Sequence, residues 1–409
     1  MEYRFLYEEV KSHLTVKKYT IITGARQVGK TTILRQLHAH LRSRNEKSVL
    51  INLEDKNVLE SLNNDVKSIF KFIPFHPQRI IDGKTNRRIF FLIDEIQYLD
   101  DPSNFMKYLY DEYEYNVKLI VTGSSAFYID KKFKDSLAGR KRIFHLYPLS
   151  FEEFLIFKKQ DKISDEIGSM VQEPSYHSQY KISARGYLME YLMYGGYPDV
   201  VLEDNKREKK WILDELKNSY LRRDIIEAGV DKEIKFLNLL QILADQTGNL
   251  VNKNELGNTL QIDNKTADTY VYILQKCFHI DLLKPYHRNI RKEITKMPKV
   301  YFNDLGLRNS ILGRFDPPRQ RADKGALIEN FVYNQLRIKY SPEKIKHWRT
   351  SAGHEVDFVV EETYNTGLAI EVKWNCKKFN QKKYKKFIST YPEYPLTCID
   401  ADNIEMLNR

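Results

Sequence analysis

The stretch that decides the fold is "TIITGARQVGKTT", residues 20–32. An apolar run leads into a loop from Gly24 to Thr31 that fits the pattern G-x-x-x-x-G-K-[ST], and an amphipathic helix is predicted over 30–43. The glycines let the backbone curl so that successive N–H groups face one point, and the helix N-terminus adds a dipole that favours an anion. The stretch therefore predicts a phosphate-binding loop.

We expect this loop to bind the phosphates of ATP or ADP, the alternative being a chance glycine turn. Lys30 is predicted to reach the β- and γ-phosphates, and Thr31 to bind Mg²⁺ through its hydroxyl. The predicted cofactors are therefore ATP and Mg²⁺. The predicted nucleotide-binding residues are Gly24, Ala25, Arg26, Gln27, Val28, Gly29, Lys30, Thr31 and Thr32.

The second part of the nucleotide site is predicted in "RRIFFLIDEIQ", residues 87–97, where an apolar strand ends in two acids. Asp94 is expected to hold Mg²⁺ through water, and Glu95 to polarise the attacking water. The alternative is that the two acids cap the following helix. A further strand, predicted at 48–55, separates the loop from these acids, as in nucleotide hydrolases that have an additional strand and a catalytic glutamate.

Further polar residues are candidates for contact with the γ-phosphate. Ser124 or Ser125, at the end of another apolar strand, is expected to sense the γ-phosphate or orient water, unless it caps the next helix. Arg140 is the preferred candidate for an arginine finger or sensor, ahead of Arg222 and Arg223. Surface or salt-bridge roles are the alternative for each arginine.

The first third of the chain is predicted to be an α/β domain. Its strands are continuously apolar, which suits a parallel sheet covered on both faces, and amphipathic helices alternate with them. The segments that follow have other predicted structures. The first is helical, and the second has three helical stretches and a hairpin, as in a winged helix-turn-helix. A stretch at 306–322 comes next, which we interpret as a linker. The predicted domains are 1–150, 151–230, 231–305 and 306–409.

The predicted winged helix offers two surfaces to nucleic acid. Its second helix is expected to present Asn264, Lys265 and Thr269 to DNA. Its wing is more basic, which indicates phosphate contacts without reading of bases. The alternative is that the winged helix binds another domain or a protein partner. The basic wing residues are Arg288, Arg291, Lys292 and Lys296.

The C-terminal segment contains acids in a pattern typical of metal-dependent nucleases. Asp357 lies mid-strand in "GHEVDFVV", and Glu371 and Lys373 lie two apart in "GLAIEVKWN", so that both point to one face. Glu329 could add a ligand from the preceding helix. The two acids and Glu329 are predicted to bind Mg²⁺, and Lys373 to orient the attacking water. The alternatives are an inactive nuclease-like fold that still binds DNA, or salt-bridged residues without either role.

The charge of the chain favours a polyanionic partner. The net charge is +11, and residues 371–390 alone hold seven lysines against one glutamate. Aromatic residues lie among the lysines of a helix predicted at 377–390, which suits contact with a nucleic-acid backbone. The alternatives are a lysine-rich proteome and a solvated helix face. DNA is therefore the predicted macromolecular partner.

Cysteine usage and hydropathy bear on the compartment. The three cysteines, Cys277, Cys376 and Cys398, have no metal-ligand spacing and predict no disulfide framework, which favours a reducing cytoplasm. No apolar run approaches the roughly 18 residues needed to span a membrane. We therefore expect a cytoplasmic protein without a membrane partner.

A family resemblance joins these motifs. In order they are "GARQVGKTT", "FFLIDEIQ", "TGSSAF", "LAGR", "YPLSFEEFL", "GGYPDV", "YLRRDI", "GALIENF", "HEVDFVV" and "AIEVKW". Together they resemble the bacterial and archaeal AAA+-related ATPases that carry a C-terminal domain of unknown function. The resemblance covers nearly the whole chain. It implies a P-loop core, a helical lid, a winged helix and a restriction-endonuclease-like end, but no biological role.

The sequence thus predicts a Mg²⁺-dependent ATPase whose C-terminal half faces nucleic acid. Two alternatives belong to other classes: a nucleotide-gated, metal-dependent DNA nuclease, and an ATP-driven switch or scaffold that binds a protein partner without nucleic acid. The oligomeric state stays open, and so does the question of whether an arginine finger acts within one chain or between chains.

Overall fold

The computed structural model describes residues 4–73, 88–113, 115–123, 137–172, 180–287, 293 and 296–404. They form two compact units. The N-terminal unit ends at Tyr147 and also includes residues 276–278, and the C-terminal unit contains the rest from Pro148 onward. Each unit is described below by itself.

The N-terminal unit is built on a parallel sheet of five strands in the order β2-β3-β4-β1-β5. The four predicted strands are confirmed, and three of them, which consist mainly of apolar residues, are buried along their whole length. The fifth strand was not predicted, since it alternates buried and exposed residues at the edge of the sheet. The strands are β1 (Tyr19–Gly24), β2 (Lys47–Asn52), β3 (Ile89–Asp94), β4 (Val117–Gly123) and β5 (Lys141–Leu146).

Helices pack on this sheet and bury their apolar faces. The helix that follows the phosphate-loop motif buries Ile33, Leu34, Leu37 and Leu41, the face that the sequence predicted. The described helices of the unit are α1 (Phe5–Ser12), α2 (Lys30–Ser43), α3 (Lys56–Asn64) and α4 (Pro102–Tyr113), with 3₁₀ turns at His13–Thr15, Val66–Phe72 and Ile96–Tyr98.

The C-terminal unit begins with helices and ends with a mixed sheet. Its helices are α5 (Phe151–Phe157), α6 (Asp161–Gln172), α7 (Lys181–Tyr194), α8 (Pro198–Leu202), α9 (Lys206–Glu227), α10 (Glu233–Asp245), α11 (Lys253–Leu260), α12 (Asn264–Lys276), α13 (Leu305–Leu312), α14 (Lys324–Lys339) and α15 (Lys385–Thr390). Its 3₁₀ turns are Pro318–Gln320, Pro342–Lys344, Cys376–Lys378 and Gln381–Tyr384.

Two sheets belong to this unit. One is an antiparallel pair, and the other has four strands in the order β11-β10-β9-β8, in which β8, β9 and β10 are antiparallel neighbours and β11 runs parallel to β10. The strands are β6 (Ile280–Leu283), β7 (Lys299–Phe302), β8 (Ile345–Arg349), β9 (Glu355–Thr363), β10 (Thr366–Val372) and β11 (Leu396–Ile399).

A single hydrophobic core joins the three segments that were predicted as separate domains. It includes Phe154 and Leu192 from the first segment, Tyr301 from the second, and Phe331 and Phe358 from the third. All five side chains are buried. The predicted boundaries after residues 230 and 305 therefore do not separate compact units, whereas the one after 150 lies close to the division at Tyr147.

The linker predicted at 306–322 is wrong over its first half, which forms α13. Arg308 is fully buried there, and its guanidinium donates to the carbonyl of Ala244 at 2.9 Å and to Asp323 Oδ2 at 2.6 Å. The polar residues of this stretch suggest a linker, but Arg308, Asn309 and Ser310 make hydrogen bonds inside the folded unit. A buried charge persists only with such partners, so the helix is tied to its surroundings.

The helix predicted at 377–390 is also corrected. Two 3₁₀ turns occupy the first part of that stretch, and the α-helix begins only at Lys385. The side chains of Asn375 and Asn380 accept the backbone N–H groups of Lys377 and Lys382 at 2.8 and 3.0 Å. Such local bonds compete with a continuous helix.

The absence of a disulfide was predicted wrongly. Cys376 and Cys398 are bonded, with their Cα atoms 6.0 Å apart. Their separation in sequence carries no signal for this pairing. The two cysteines are brought together because β11 pairs in parallel with β10. Cys398, on β11, lies opposite Glu371 of β10, and Cys376 follows the end of β10.

The "GGYPDV" motif is explained by a buried acid. Gly195 has a φ of +74°, and a Cβ there would lie 2.3 Å from Asp304 Oδ1. Asp304 Oδ2 accepts the N–H of Gly196 at 2.7 Å, and its Oδ1 accepts that of Leu307 at 2.7 Å. Burial raises the pKa of Asp304 to about 6. This carboxyl group joins the end of α7 to the start of α13.

Asp304→Ala is expected to lower the free energy of unfolding by about 2–5 kcal/mol, because two buried N–H groups lose their acceptor. Urea unfolding followed by circular dichroism measures the change. Asp204→Ala is the matched control, since Asp204 is exposed and pairs with Lys158 at the surface. Equal stability of the two variants would contradict this account of the motif.

Candidate functional site

The phosphate-loop motif lies where β1 ends and α2 begins. Gly29 is the N-cap of α2 with a φ of 97°, and Gln27 has a φ of 55°. A Cβ at Gly24 would lie 2.0 Å from the carbonyl oxygen of Leu146 on the neighbouring strand, so only glycine fits there. The loop therefore adopts the tight curl that the sequence pattern requires, directly at a helix N-terminus.

Lys30 lies within this loop. Its side chain is buried, and Nζ donates to the carbonyl oxygens of Gly24 and Ala25 at 3.0 and 2.6 Å. Val28 is buried as well, and its carbonyl accepts a hydrogen bond from the guanidinium of Arg4 at 2.5 Å. The ammonium group is thus held over the loop, in reach of an anion that the loop would bind.

The structure brings Thr31 and Asp94 together. Thr31 Oγ1 donates to Asp94 Oδ2 at 2.7 Å, although β4 separates β1 from β3 in the sheet. Thr122, near the end of β4, completes the link: its hydroxyl donates to Asp94 Oδ1 and accepts the N–H of Glu95 at 3.0 Å. A hydroxyl and a carboxylate are the hard oxygen ligands that Mg²⁺ prefers, so the donors present fit this ion.

Glu95 adopts an unusual backbone conformation. Its φ and ψ of 59° and 50° lie in the left-handed region, which non-glycine residues seldom adopt and which is frequent at active sites. This conformation ends β3 and begins the turn Ile96–Tyr98. The side-chain amide of Gln97 donates to Glu95 Oε2 and so orients the carboxylate.

Sequence reasoning missed Thr122 and Gln97. The signal for Thr122 was a polar residue near the end of a buried strand, but the motif "VTGSS" directed attention to Ser124, which lies outside the described residues. Gln97 stands two residues after Glu95, and its contact depends on the left-handed turn. Both residues touch the predicted catalytic acids.

Arg140 does not lie at the phosphate loop. The N–H of Tyr19, at the start of β1, donates to the Arg140 carbonyl at 2.8 Å, and the Arg140 guanidinium pairs with Asp111 at 2.9 Å. A strand rises about 3.3 Å per residue, so the length of β1 separates Arg140 from Gly24. Arg140 is therefore remote from the loop of its own chain, and its role as an arginine finger or sensor stays a prediction. Arg223 pairs with Glu227 on α9 at 3.2 Å.

Two of the predicted acids of the C-terminal segment, Glu329 and Asp357, lie around a lysine that was not predicted. Lys299 Nζ lies 3.0 Å from Glu329 Oε1 and 3.4 Å from Asp357 Oδ1, and it also contacts Glu355. Lys373 pairs with Glu371. We call Glu329, Glu355, Asp357 and Glu371 the carboxylate cluster.

Burial and mutual repulsion change the protonation of this cluster. Burial and the charge of Asp357 raise the pKa of Glu329 to about 7 and that of Glu371 to about 7. Burial alone would lower the pKa of Lys299, but the charges of Glu329, Asp357 and Glu355 raise it above its usual value. Lys299 therefore stays positively charged, and the carboxyl groups of Glu329 and Glu371 retain protons to a higher pH than usual.

No group of three or more His, Cys, Asp or Glu side chains in the described part of the chain is arranged to hold a metal ion. In the carboxylate cluster, three of the acids already contact Lys299. In the sequence, Lys299 counted only as one charge of a basic stretch. Alternation along β7 places it on the same face as Tyr301, whose hydroxyl donates to Glu329 Oε1 at 2.6 Å.

The segment predicted as a winged helix contains three helices, α10, α11 and α12, followed by the antiparallel strands β6 and β7. Asn264, Lys265 and Thr269 are exposed on α12. The amide of Asn264 donates to Asn254 at 2.7 Å. Of the predicted wing residues, Lys296 is exposed, whereas Arg288, Arg291 and Lys292 lie outside the described residues.

Residues 16–155 match the family model of the AAA domain. The N-terminal unit is thus similar to AAA domains, which agrees with its parallel sheet and its phosphate-loop motif. Two further models match the rest of the chain: a domain of unknown function (DUF8612) at residues 185–317, and another (DUF4143) at residues 324–403. No helix among the described residues combines the length and apolar character that are needed to cross a membrane.

Similar proteins span nearly the whole chain. An uncharacterized protein of Haemophilus influenzae is 28% identical over 93% of this chain and 91% of its own length. An uncharacterized protein of Methanocaldococcus jannaschii is 25% identical over 98% of this chain and 84% of its own length. Among solved structures, the ORC2 protein of Aeropyrum pernix has 10% identity and a TM-score of 0.39, covering 83% of this chain and 96% of that chain. No role follows from so remote a likeness of structure.

Proposed function

We propose that this chain is a Mg²⁺-dependent ATPase that binds and hydrolyses ATP and whose C-terminal half faces nucleic acid. The observation that carries the first part is the contact of Thr31 Oγ1 with Asp94 Oδ2 at 2.7 Å, at the mouth of the phosphate loop. It places the two predicted Mg²⁺ ligands beside each other and beside Lys30. Glu95 follows Asp94 directly and is held by Thr122 and Gln97.

The roles of these residues follow from charge and position. The loop N–H groups and Lys30 neutralise the phosphates, and Thr31 and Asp94 hold Mg²⁺, directly and through water respectively. Glu95 accepts a proton from, or orients, the water that attacks the γ-phosphate. A second chain would have to supply any arginine finger at position 140, because Arg140 lies at the far end of β1 in its own chain.

The folds of the C-terminal unit form part of this proposal. Three helices followed by an antiparallel hairpin support a winged helix at 231–305. One helix, α14, and a mixed sheet with the antiparallel hairpin β9–β10 at its centre support a restriction-endonuclease-like fold at 306–409. Residues 151–230 would be the helical lid, although they share their core with the other two segments.

Exposed lysines support a nucleic-acid partner. Six of them lie on the 3₁₀ turns and on α15, and Phe379 and Tyr384 stack among them with ring centroids 5.2 Å apart. Clustered ammonium groups beside aromatic rings suit a sugar-phosphate backbone and unstacked bases. The exposed lysines are Lys377, Lys378, Lys382, Lys383, Lys385 and Lys386.

Replacing Lys378, Lys382 and Lys383 by Gln is expected to weaken DNA binding and to flatten its dependence on salt. Each phosphate contact that is lost lowers the slope of log K against log [salt] by roughly 0.9 for duplex DNA. Fluorescence anisotropy at several salt concentrations measures the slope. The same substitution at three exposed lysines of the N-terminal unit (Lys18, Lys56 and Lys71) serves as the control and should leave the slope unchanged.

ATPase turnover with and without DNA, at two salt concentrations, tests both parts together. Turnover that responds to DNA and loses this response at high salt supports the proposal. DNA binding that does not depend on salt, or no binding, would favour the switch or scaffold instead. The carboxylate cluster does not favour the nuclease, because three of its acids already contact Lys299.

A further inference from the structure

The carboxylate cluster contains a buried lysine that has no part in the proposed ATPase reaction. The sequence pattern there implies a divalent metal ion, but Lys299 stands among the acids. Lys299 is 2% exposed, and it is the first residue of β7. Its Nζ lies within 3.4 Å of carboxylate oxygens from three side chains, Glu329, Glu355 and Asp357. One ammonium group is therefore shared by three acids.

These acids converge because of their positions on separate elements. Glu355 and Asp357 are two apart on β9 and so share a face, while Glu329 projects from α14. Tyr301 anchors Glu329 at 2.6 Å, and the N–H of Val372 donates to Asp357 Oδ2 at 2.9 Å. The oxygens around Nζ are thus fixed by further bonds, and do not merely follow the lysine.

Two further cations in the described part of the chain contact the cluster. Lys373 pairs with Glu371, and Arg349 lies 3.0 Å from Glu355 Oε2. Glu371 is 4% exposed, and it pairs with Lys373 rather than with Lys299. The acids around Lys299 therefore form a separate set of three, Glu329, Glu355 and Asp357.

We propose that the ammonium group of Lys299 is the resident cation of the carboxylate cluster and takes the place of a divalent metal ion. The acids that would ligate the metal are Glu329, Glu355 and Asp357, rather than the predicted set of Glu329, Asp357 and Glu371. A hard divalent cation such as Mg²⁺ or Mn²⁺ needs the same oxygens at about 2.0–2.2 Å, and the ammonium prevents this approach. The metal ion and Lys299 therefore exclude each other.

The proposal is tested by Mn²⁺ titration of the full chain without nucleotide, with free Mn²⁺ measured by electron paramagnetic resonance. The wild-type protein and Asp357→Asn are expected to bind the same number of Mn²⁺ ions. Lys299→Met, which keeps an unbranched side chain one atom shorter and removes the ammonium group, is expected to gain one ion per chain. That ion is expected to be lost again in the double variant Lys299→Met with Asp357→Asn.

Lys373→Met is the matched control, because it removes an equal charge that contacts Glu371 and leaves Lys299 in place. It is expected to gain no ion. A wild-type protein whose Mn²⁺ binding disappears in Asp357→Asn would overturn the proposal, and so would a folded Lys299→Met that gains none. The comparison of wild type with Asp357→Asn decides the matter even if Lys299→Met does not fold. No arm depends on ATP, so failure here leaves the ATPase proposal standing.

Discussion

Glu95→Gln is expected to bind ATP as tightly as the unchanged protein and to hydrolyse it at least about 100-fold more slowly, which is the usual contribution of a general base. The amide retains the size of the side chain and a contact with Gln97, but it cannot accept a proton from water. The residues that would bind the phosphates, Lys30 and Thr31, are untouched. Turnover measured by phosphate release, together with ATP affinity from calorimetry, separates the two effects.

The matched control for this substitution is Glu60→Gln, on the exposed side of α3. It should change neither the turnover nor the affinity. Normal turnover in Glu95→Gln would refute the assignment of Glu95 as the base. Glu95 would then have only a structural role, because its left-handed backbone conformation ends β3.

Lys30→Ala is expected to weaken ATP binding by about 100-fold or more. Hydrogen bonds to charged groups contribute about 1.5–3 kcal/mol each, and Lys30 is positioned to make two of them, one to the β- and one to the γ-phosphate. The substitution also leaves the carbonyl oxygens of Gly24 and Ala25 without the ammonium that now bridges them. Calorimetric titration with ATP and ADP measures the loss.

Arg35→Ala is the control for Lys30→Ala, since Arg35 is an exposed cation on the same helix. It should leave the affinity for ATP unchanged, and circular dichroism should show that both variants are folded. An affinity in Lys30→Ala that equals that of the unchanged protein would mean that the loop does not bind the nucleotide. The predicted Mg²⁺ site at Thr31 and Asp94 would then have no bound nucleotide beside it.

The conformation of the phosphate loop could be predicted in detail because the residues that specify it are close together in the sequence. Glycine at 24 and 29, lysine at 30 and an apolar strand on one side specify a conformation within about ten residues of chain. The strand bearing Asp94 and Glu95 was found in the same way, from continuous apolar residues that end in acids. In these segments the period of the sequence and the burial in the fold agree.

Contacts across the sheet could not be predicted. Thr122 meets Asp94 because β4 lies between β1 and β3, and Arg140 lies far from the loop because it precedes the neighbouring parallel strand. Neither fact follows from spacing along the chain. The same holds for Cys376 and Cys398, which are bonded because β11 pairs with β10, and for α13, whose polar residues find their partners only inside the folded unit.

Local patterns in the amino-acid sequence were enough to predict the phosphate loop, the strand before it and the helix after it. They also identified the kinds of charged residue near the C-terminus. Their determinants are backbone preferences and hydrophobic periods, which act over a few residues. The contacts between charged side chains could be found only in the folded protein, where Lys299 lies among Glu329, Glu355 and Asp357. The fold also showed that three predicted domains share one hydrophobic core. Electrostatic and packing contacts depend on distance in space, and that distance is set by the pairing of elements remote in sequence.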